Sequence, residues 1–282
     1  MKLFKRTNDI KEIISKFKRN NLSIGFVPTM GALHDGHLKL ILESKNKCDV
    51  TVSSIFVNPT QFNDKNDFNK YPRTTEKDLE RLLNTGCDIL FLPSEKDIYP
   101  SENDKNYPLG ALEQVFEGAF RPGHFQGVCQ VVDRLFKIIT PDEVFFGQKD
   151  YQQCMVINKL LKTDPSFKQI NMNIVPTVRE PDGLAMSSRN MRLSNEERKI
   201  APVIYESLQL VKQNLQPGDL TNLTDEAKHK LTEAGLAPDD FSIAHAETLE
   251  QINNWNGKDP LVALVAAFLG EIRLIDNLTL TN

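Results

Sequence analysis

The 282-residue sequence predicts an α/β fold: a Rossmann-like doubly wound parallel sheet followed by a smaller C-terminal α+β domain. Two observations carry this reading. Through the first two-thirds of the chain, short β-branched and aromatic runs alternate with segments of helical apolar spacing, the pattern of βαβ units with right-handed crossovers. Near Pro176 the alternation stops, and two helices followed by long extended runs take its place. The expected division is therefore residues 1–176 and residues 177–282.

The elements follow in order. Ser23 to Thr29 reads as a strand, because Ile24, Phe26 and Val27 form a compact apolar run. Gly36 to about Lys47 reads as a helix, with Leu38, Leu40, Ile41 and Leu42 at helical spacing. Asp49 to Val57 is a second strand. Thr74 to Asn84 is a helix, with Thr74 or Thr75 as cap and acidic residues in its first turn. Ile89 to Leu92 is a short buried strand stopped by Pro93, and Pro93 to Pro108 is a polar loop. A short amphipathic piece, Leu112 to Phe116, precedes a turn at Gly118 to Gly123. Phe125 to Ile139 is a helix carrying Val128, Val131, Val132, Leu135, Phe136 and Ile139 on one side. Glu143 to Phe146 is a strand, Tyr151 to Leu161 a helix and Ile170 to Val175 a strand. Beyond Pro176, Ser194 to about Asn214 reads as one helix with a capping-box start, and Thr224 to Ala234 as another. Phe241 to Glu247, Leu261 to Phe268 and Gly270 to Leu280 read as strands.

Composition narrows the function class. A net charge of −4 argues against a dominant nucleic-acid role, which needs a basic surface. No apolar run reaches membrane-spanning length, and the start, Met1 to Arg6, lacks the apolar core of a signal peptide. Cys48, Cys87, Cys129 and Cys154 show no Cys-x-x-Cys spacing and read as core fillers in a reducing compartment. The simplest expectation is a soluble cytoplasmic protein.

Four segments carry candidate chemistry. Pro28-Thr29-Met30-Gly31-Ala32-Leu33-His34-Asp35-Gly36-His37 spans a strand-to-helix turn. The first N–H groups of a helix lack partners within it and favour anions. His34 and His37, three apart, share one helical face. On these residues alone the pair also suits a metal, though no Cys, Asp or Glu cluster nearby completes a site, or an ordinary surface. Gly147-Gln148-Lys149-Asp150 ends a later strand and starts a helix. Its residues suit a bound anion on Lys149, or simply a solvated lysine beside a capping aspartate. Met186-Ser187-Ser188-Arg189 sets hydroxyls beside a permanently charged fork that matches oxyanions. Asn58-Pro59-Thr60-Gln61 ends the second strand, as a turn or as an amide site for a small hydroxy acid.

The first block resembles the His-x-Gly-His signature of the class I nucleotidyltransferase superfamily. In its Pro-Thr-Met-Gly-x-Leu-His-x-Gly-His form it is similar to the pantothenate synthetase (pantoate–β-alanine ligase) family, and the other blocks follow in the family's order from residue 23 to about 192. The resemblance implies that Met30, Gly31, Ala32, Leu33, His34, Asp35, Gly36 and His37 hold ATP, with His37 as proton donor. It implies that Gly147, Gln148, Lys149, Asp150, Val178, Met186, Ser187, Ser188 and Arg189 also contact ATP, with the second domain closing over that site. His34, His37, Lys149 and Arg189 are the expected catalytic groups, while Gln61, Gln153 and Asn58 are the expected pantoate groups. The implied reaction joins pantoate to β-alanine through pantoyl adenylate, using ATP with Mg²⁺. Mg²⁺ keeps most of its waters and needs no protein cage, so no metal motif is expected. A homodimer is implied as well. One departure stands out: the family usually has Glu where this chain has Gln148. Two alternatives accompany the reading. An adenylyltransferase of the same superfamily would use the histidine turn but would have less need of Gln61 and Gln153. A non-catalytic nucleotide-binding module would tolerate loss of the histidines, Lys149 or Arg189, all of which are present.

Overall fold

Six parallel strands form the sheet expected of the first domain, in the spatial order β1-β4-β3-β2-β5-β6. The computed structural model describes residues 1–63, 65–100 and 105–281, so residues 101–104 of the expected 93–108 loop lie outside the described residues. The elements of this part are β1 (Lys2–Phe4), α1 (Thr7–Arg19), β2 (Ile24–Thr29), α2 (Asp35–Lys47), β3 (Val50–Ile55), α3 (Lys65–Lys70), α4 (Thr75–Asn84), β4 (Ile89–Phe91), α5 (Glu95–Ile98), α6 (Phe116–Phe120), α7 (His124–Ile139), β5 (Glu143–Gly147), α8 (Tyr151–Thr163) and β6 (Asn171–Val175). The chain groups into two units: Met1–Gln148 with Gln152–Pro176, and Lys149–Tyr151 with the residues from Thr177 onward. Among the described residues, no helix is long and apolar enough to cross a membrane.

Helices cover both faces of the sheet. Val27, Ile55, Leu90, Phe145 and Val175 point to one face and share a core with Leu40 and Ile41 of α2 and Leu82 of α4. Phe26 points to the other, where it meets Phe136 of α7 edge-on at 6.4 Å. Fully burying one such side chain contributes about 1.5–3 kcal/mol. The four cysteines are buried free thiols, and burial pushes Cys48 up to about 11 and Cys87 and Cys129 to about 12.

The sheet opens where the site is expected. β2 pairs with β3 over six residues, but its ladder with β5 ends after Gly25↔Glu143 and Phe26↔Val144. Pro28 accounts for this. Ile24 O accepts from Asp142 N on the β5 side, whereas Thr29 O accepts from Phe56 N beyond the end of β3. Main-chain groups of a strand alternate sides, so the missing N–H of Pro28 falls on the β5 edge and the ladder cannot continue. β2 and β5 also mark the point at which strand order reverses, where ligands of open α/β sheets bind.

The second unit is built from α9 (Asn195–Ile200), α10 (Val203–Asn214), β7 (Gly218–Asp219), α11 (Thr221–Glu233), β8 (Ala237–His245), β9 (Asn254–Trp255), β10 (Leu261–Leu269) and β11 (Ile272–Thr279). β11, β10 and β8 form an antiparallel sheet, and α10 and α11 bury Leu208, Val211 and Leu231 against its Ala263, Val265 and Leu274.

The structure corrects several sequence expectations. β1 and α1 are additional elements. A three-residue edge strand is too short to show alternation, and α1 buries only Ile10 and Ile14. The helix expected over Ser194–Asn214 is split, because Pro202 lacks the N–H that would continue it. The 93–108 loop contains α5, whose Asp97 Oδ2 accepts from Ser94 N at 3.0 Å. The expected turn at Gly118 lies inside α6. There the buried Gln152 accepts from Glu117 N (3.0 Å) and donates to Leu112 O and Val115 O (each 2.9 Å), a support supplied by tertiary structure.

Candidate active site

The histidine block leaves β2 through two consecutive left-handed residues, Gly31 (φ 83°) and Ala32 (φ 49°). Glycine tolerates this conformation, but at Ala32 it costs roughly 1–2 kcal/mol. Asp78 of α4, 1% exposed, offsets that strain. Its carboxylate accepts from Ala32 N at 3.0 Å and Leu33 N at 2.8 Å, and from Thr74 Oγ1 at 3.2 Å. Hydrogen bonds to a charged partner contribute about 1.5–3 kcal/mol each, so the clamp outweighs the strain. Gly31 N is held separately by Thr29 Oγ1 at 3.2 Å. A cavity of about 250 Å³ opens beside this loop, with Met30, Gly31, Ile55, Phe56 and Arg73 in its wall.

The loop delivers His34 as the N-cap of α2. His37 Nδ1 accepts from His34 N at 3.3 Å, and the two rings lie 4.1 Å apart. Because Nδ1 accepts, a neutral His37 ring carries its proton on Nε2. Asp35, beside them, meets Arg81 at 3.1 Å in a solvent-exposed ion pair.

Gln61 lies in the 3-10 turn Pro59–Gln61 after β3, 7% exposed. Its network can be assigned atom by atom. Gly127 O only accepts, so the Asn58 amide turns Nδ2 toward it at 3.0 Å. The second Nδ2 proton reaches Gln61 Oε1 at 3.2 Å. Asn58 Oδ1 accepts from Tyr99 Oη at 2.8 Å and Thr60 Oγ1 at 3.1 Å. Burial holds the Tyr99 phenol above its usual range, so it stays a donor. Gln61 is left as a donor, with Nε2 3.1 Å from Met30 Sδ, a weak acceptor. The turn is pinned from below as well. His124 Nδ1 donates to Gln61 O at 2.8 Å, leaving Nε2 facing Arg121 at 3.3 Å. α7 presses so closely on the turn that a Cβ at Gly127 would stand 2.3 Å from Thr60 O.

The expected residues therefore sort into groups. Met30 meets Gln61 and His34 meets His37; Met30, His34 and His37 follow one another out of β2. Asn58, expected to bind the hydroxy acid, is fully buried with its amide engaged by protein partners, and it orients Gln61 instead. Gly147 ends β5, Gln148 begins a single 3-10 turn, and Gln153 is half-buried near the start of α8. In the second unit, Val178 and Met186 pair across a hairpin, Met186 N donating to Val178 O at 3.0 Å. Ser187 Oγ accepts from Arg189 N at 3.2 Å and caps the turn Ser188–Arg192. Lys149 and Asp150 also group with this unit. Asp78 and Tyr99 are structural partners that the sequence reading lacks. Asp78 resembles any first-turn helix acid until its burial is known.

The whole chain has relatives. Residues 2–279 match the model of the family described as pantoate-beta-alanine ligase. A pantothenate synthetase of Porphyromonas gingivalis is 41% identical, over 99% of both chains. The crystal structure of pantothenate synthetase from Thermus thermophilus superposes with a TM-score of 0.88 at 37% identity, covering all of both chains. A pantoate-beta-alanine ligase of Francisella tularensis, complexed with β-γ ATP and β-alanine, gives a TM-score of 0.82 at 38% identity, covering 99% of this chain and 97% of that one.

The clamp on the histidine loop makes a direct prediction. Asp78→Asn keeps the shape but turns an NH₂ group toward a backbone N–H, leaving one buried donor unmatched at a cost of about 1–3 kcal/mol. Urea unfolding should show that loss, and hydrogen exchange should show reduced protection at the amides of Ala32 and Leu33. Wild-type stability with unchanged exchange would contradict the clamp.

Proposed function

The chain belongs to the pantoate–β-alanine ligase family, and on that premise we propose that it condenses pantoate with β-alanine in two steps, using ATP as its Mg²⁺ complex. A pantoate carboxylate oxygen attacks the α-phosphorus of ATP. The bond to the bridging oxygen breaks, giving pantoyl adenylate and pyrophosphate. The neutral amine of β-alanine then attacks the acyl carbon, loses a proton, and AMP leaves with the electron pair of the acyl–oxygen bond. The observation that carries this reading is the seating of His34 and His37 at the amino end of α2, on a loop locked by Asp78.

No protein nucleophile is needed in either step. The first step requires positioning and stabilisation of charge that spreads over phosphate oxygens. His37, with Nδ1 on the His34 amide, offers Nε2–H to such an oxygen, and the positive end of the α2 dipole adds to it. By analogy with the family motif, Met30–His37, Gly147–Asp150, Val178 and Met186–Arg189 take ATP in this reading. Lys149 and Arg189 bring positive charge to its phosphates. Gln61 and Gln153 hold pantoate, and Asn58 acts indirectly by fixing the Gln61 amide. Neutral amides can orient hydroxyl and carboxylate oxygens without adding charge beside the reacting acyl group. Gln148 keeps the length and the carbonyl acceptor of glutamate, so it serves as a hydrogen-bonding residue rather than a base. We also assign the family's homodimeric, cytoplasmic state to this chain.

Mass spectrometry of products from ATP, Mg²⁺, pantoate and β-alanine tests the reaction. AMP and pantothenate should appear together, and omission of either organic substrate should abolish pantothenate. A dinucleotide, or nucleotide turnover indifferent to both, would point to an adenylyltransferase. His37→Ala should slow single-turnover adenylate formation by about 10²-fold or more, the scale of a lost preorganised donor. A rate within a few-fold of wild type would remove His37 from the mechanism.

A further inference from the structure

Two neighbouring residues of β11 anchor both of the nucleotide segments assigned to the second unit. Asp276, 3% exposed, holds Arg179 in a fork, with Nη2 to Oδ1 at 3.0 Å and Nη1 to Oδ2 at 2.5 Å. The same guanidinium donates to Gly183 O at 3.1 Å and lies 3.8 Å above the Tyr205 ring. Arg179 therefore fastens the hairpin that brings in Met186–Arg189. Asn277 is the next residue and is 2% exposed. Successive side chains of a strand point to opposite faces, so Asn277 works on the other side of the sheet. There its Nδ2 donates to the carbonyl oxygen of Lys149 at 2.9 Å. The main chain closes the link, since Asn277 O accepts from Arg179 Nη2 at 3.3 Å.

Lys149 needs such a mounting. It sits in the single 3-10 turn Gln148–Asp150 that leads into α8, and the turn itself fixes the main chain but not the end of the side chain. Its ammonium is a point charge at the end of a flexible four-carbon stem. A group of this kind stabilises a transition state only when it is held to within about 0.5 Å of the productive geometry. At residue 277 an amide can donate to a carbonyl, whereas a carboxylate of the same shape cannot.

We propose that Asn277 is a positioning residue for Lys149: its side-chain amide grips the Lys149 carbonyl and sets where the ammonium stands, while Asp276 and Arg179 mount the Met186–Arg189 loop on the same strand. The proposal rests on the assignment of Lys149 to the ATP phosphates.

A double-mutant cycle tests it, comparing wild type, Lys149→Met, Asn277→Asp and the double variant. The readouts are single-turnover adenylate formation from ATP and pantoate, and the steady-state kcat and KM for each substrate, with folding checked by circular dichroism. Asn277→Ala is run in parallel; it removes the donor without adding charge and stands in if Asn277→Asp does not fold. Asn277→Asp should lower the adenylation rate about 10- to 100-fold, the scale of a small misplacement of a catalytic group, and should leave KM for pantoate within threefold of wild type. Added to Lys149→Met, it should change the rate by less than about threefold, because a lysine already removed cannot be mispositioned. Multiplicative losses in the double variant, or single variants within threefold of wild type, would overturn the proposal while leaving Lys149 in place. A wild-type rate for Lys149→Met would overturn the role of Lys149 and the proposal with it.

Discussion

A buried carboxylate fixes the loop that carries His34 and His37 into α2. Asp78 reaches from α4 to the amides of Ala32 and Leu33, and those bonds stabilise a left-handed turn that Ala32 would otherwise avoid. The direction in which the chain enters α2 follows from that turn. With it follow the position of His34 at the helix end and the bond between His34 N and His37 Nδ1. The negative charge of Asp78 is also matched by backbone donors and a threonine hydroxyl. An unmatched buried acid would destabilise the fold; one engaged by its own main chain shapes the loop instead.

A second constraint is an omission. Pro28 withholds one N–H from the β5 side of β2, and the two strands stop pairing at Phe26↔Val144. Carboxyl ends that remained laddered would leave less room for a ligand between them. The strand break and the left-handed turn lie within five residues of sequence, Pro28 to Ala32, so a very short segment determines both the opening and the shape of the loop that borders it. The Gln61 turn shows the same economy. Its amide orientation follows from one carbonyl, Gly127 O, which permits only one arrangement of Asn58 and hence one of Gln61.

The strand–helix alternation and the pairing of the two histidines are legible in the sequence, because both are local periodicities. The class of sheet follows from them. What stays hidden depends on burial. Asn58-Pro59 carries the same letters whether its amide faces a ligand or the protein, and only full burial with engaged partners decides. Asp78 cannot be told from a helix-capping acid by position, since its main-chain partners lie more than forty residues away. The grouping of Lys149–Tyr151 with the C-terminal unit is invisible for the same reason: it rests on Asn277, 128 residues distant, and on Tyr151 Oη donating to Ala246 O at 2.8 Å. Pro202, by contrast, is a break that local rules should register, but the strong capping box at Ser194 and the apolar periodicity beyond it mask the interruption.

The central claim is that this chain activates a carboxylate before the amine takes part. Exchange of radiolabelled pyrophosphate into ATP measures that step alone, because it requires reversible formation of an acyl adenylate and nothing later. With pantoate and Mg²⁺ present and β-alanine absent, label should enter ATP at a rate that rises with pantoate concentration. Exchange that begins only when β-alanine is added would contradict the account.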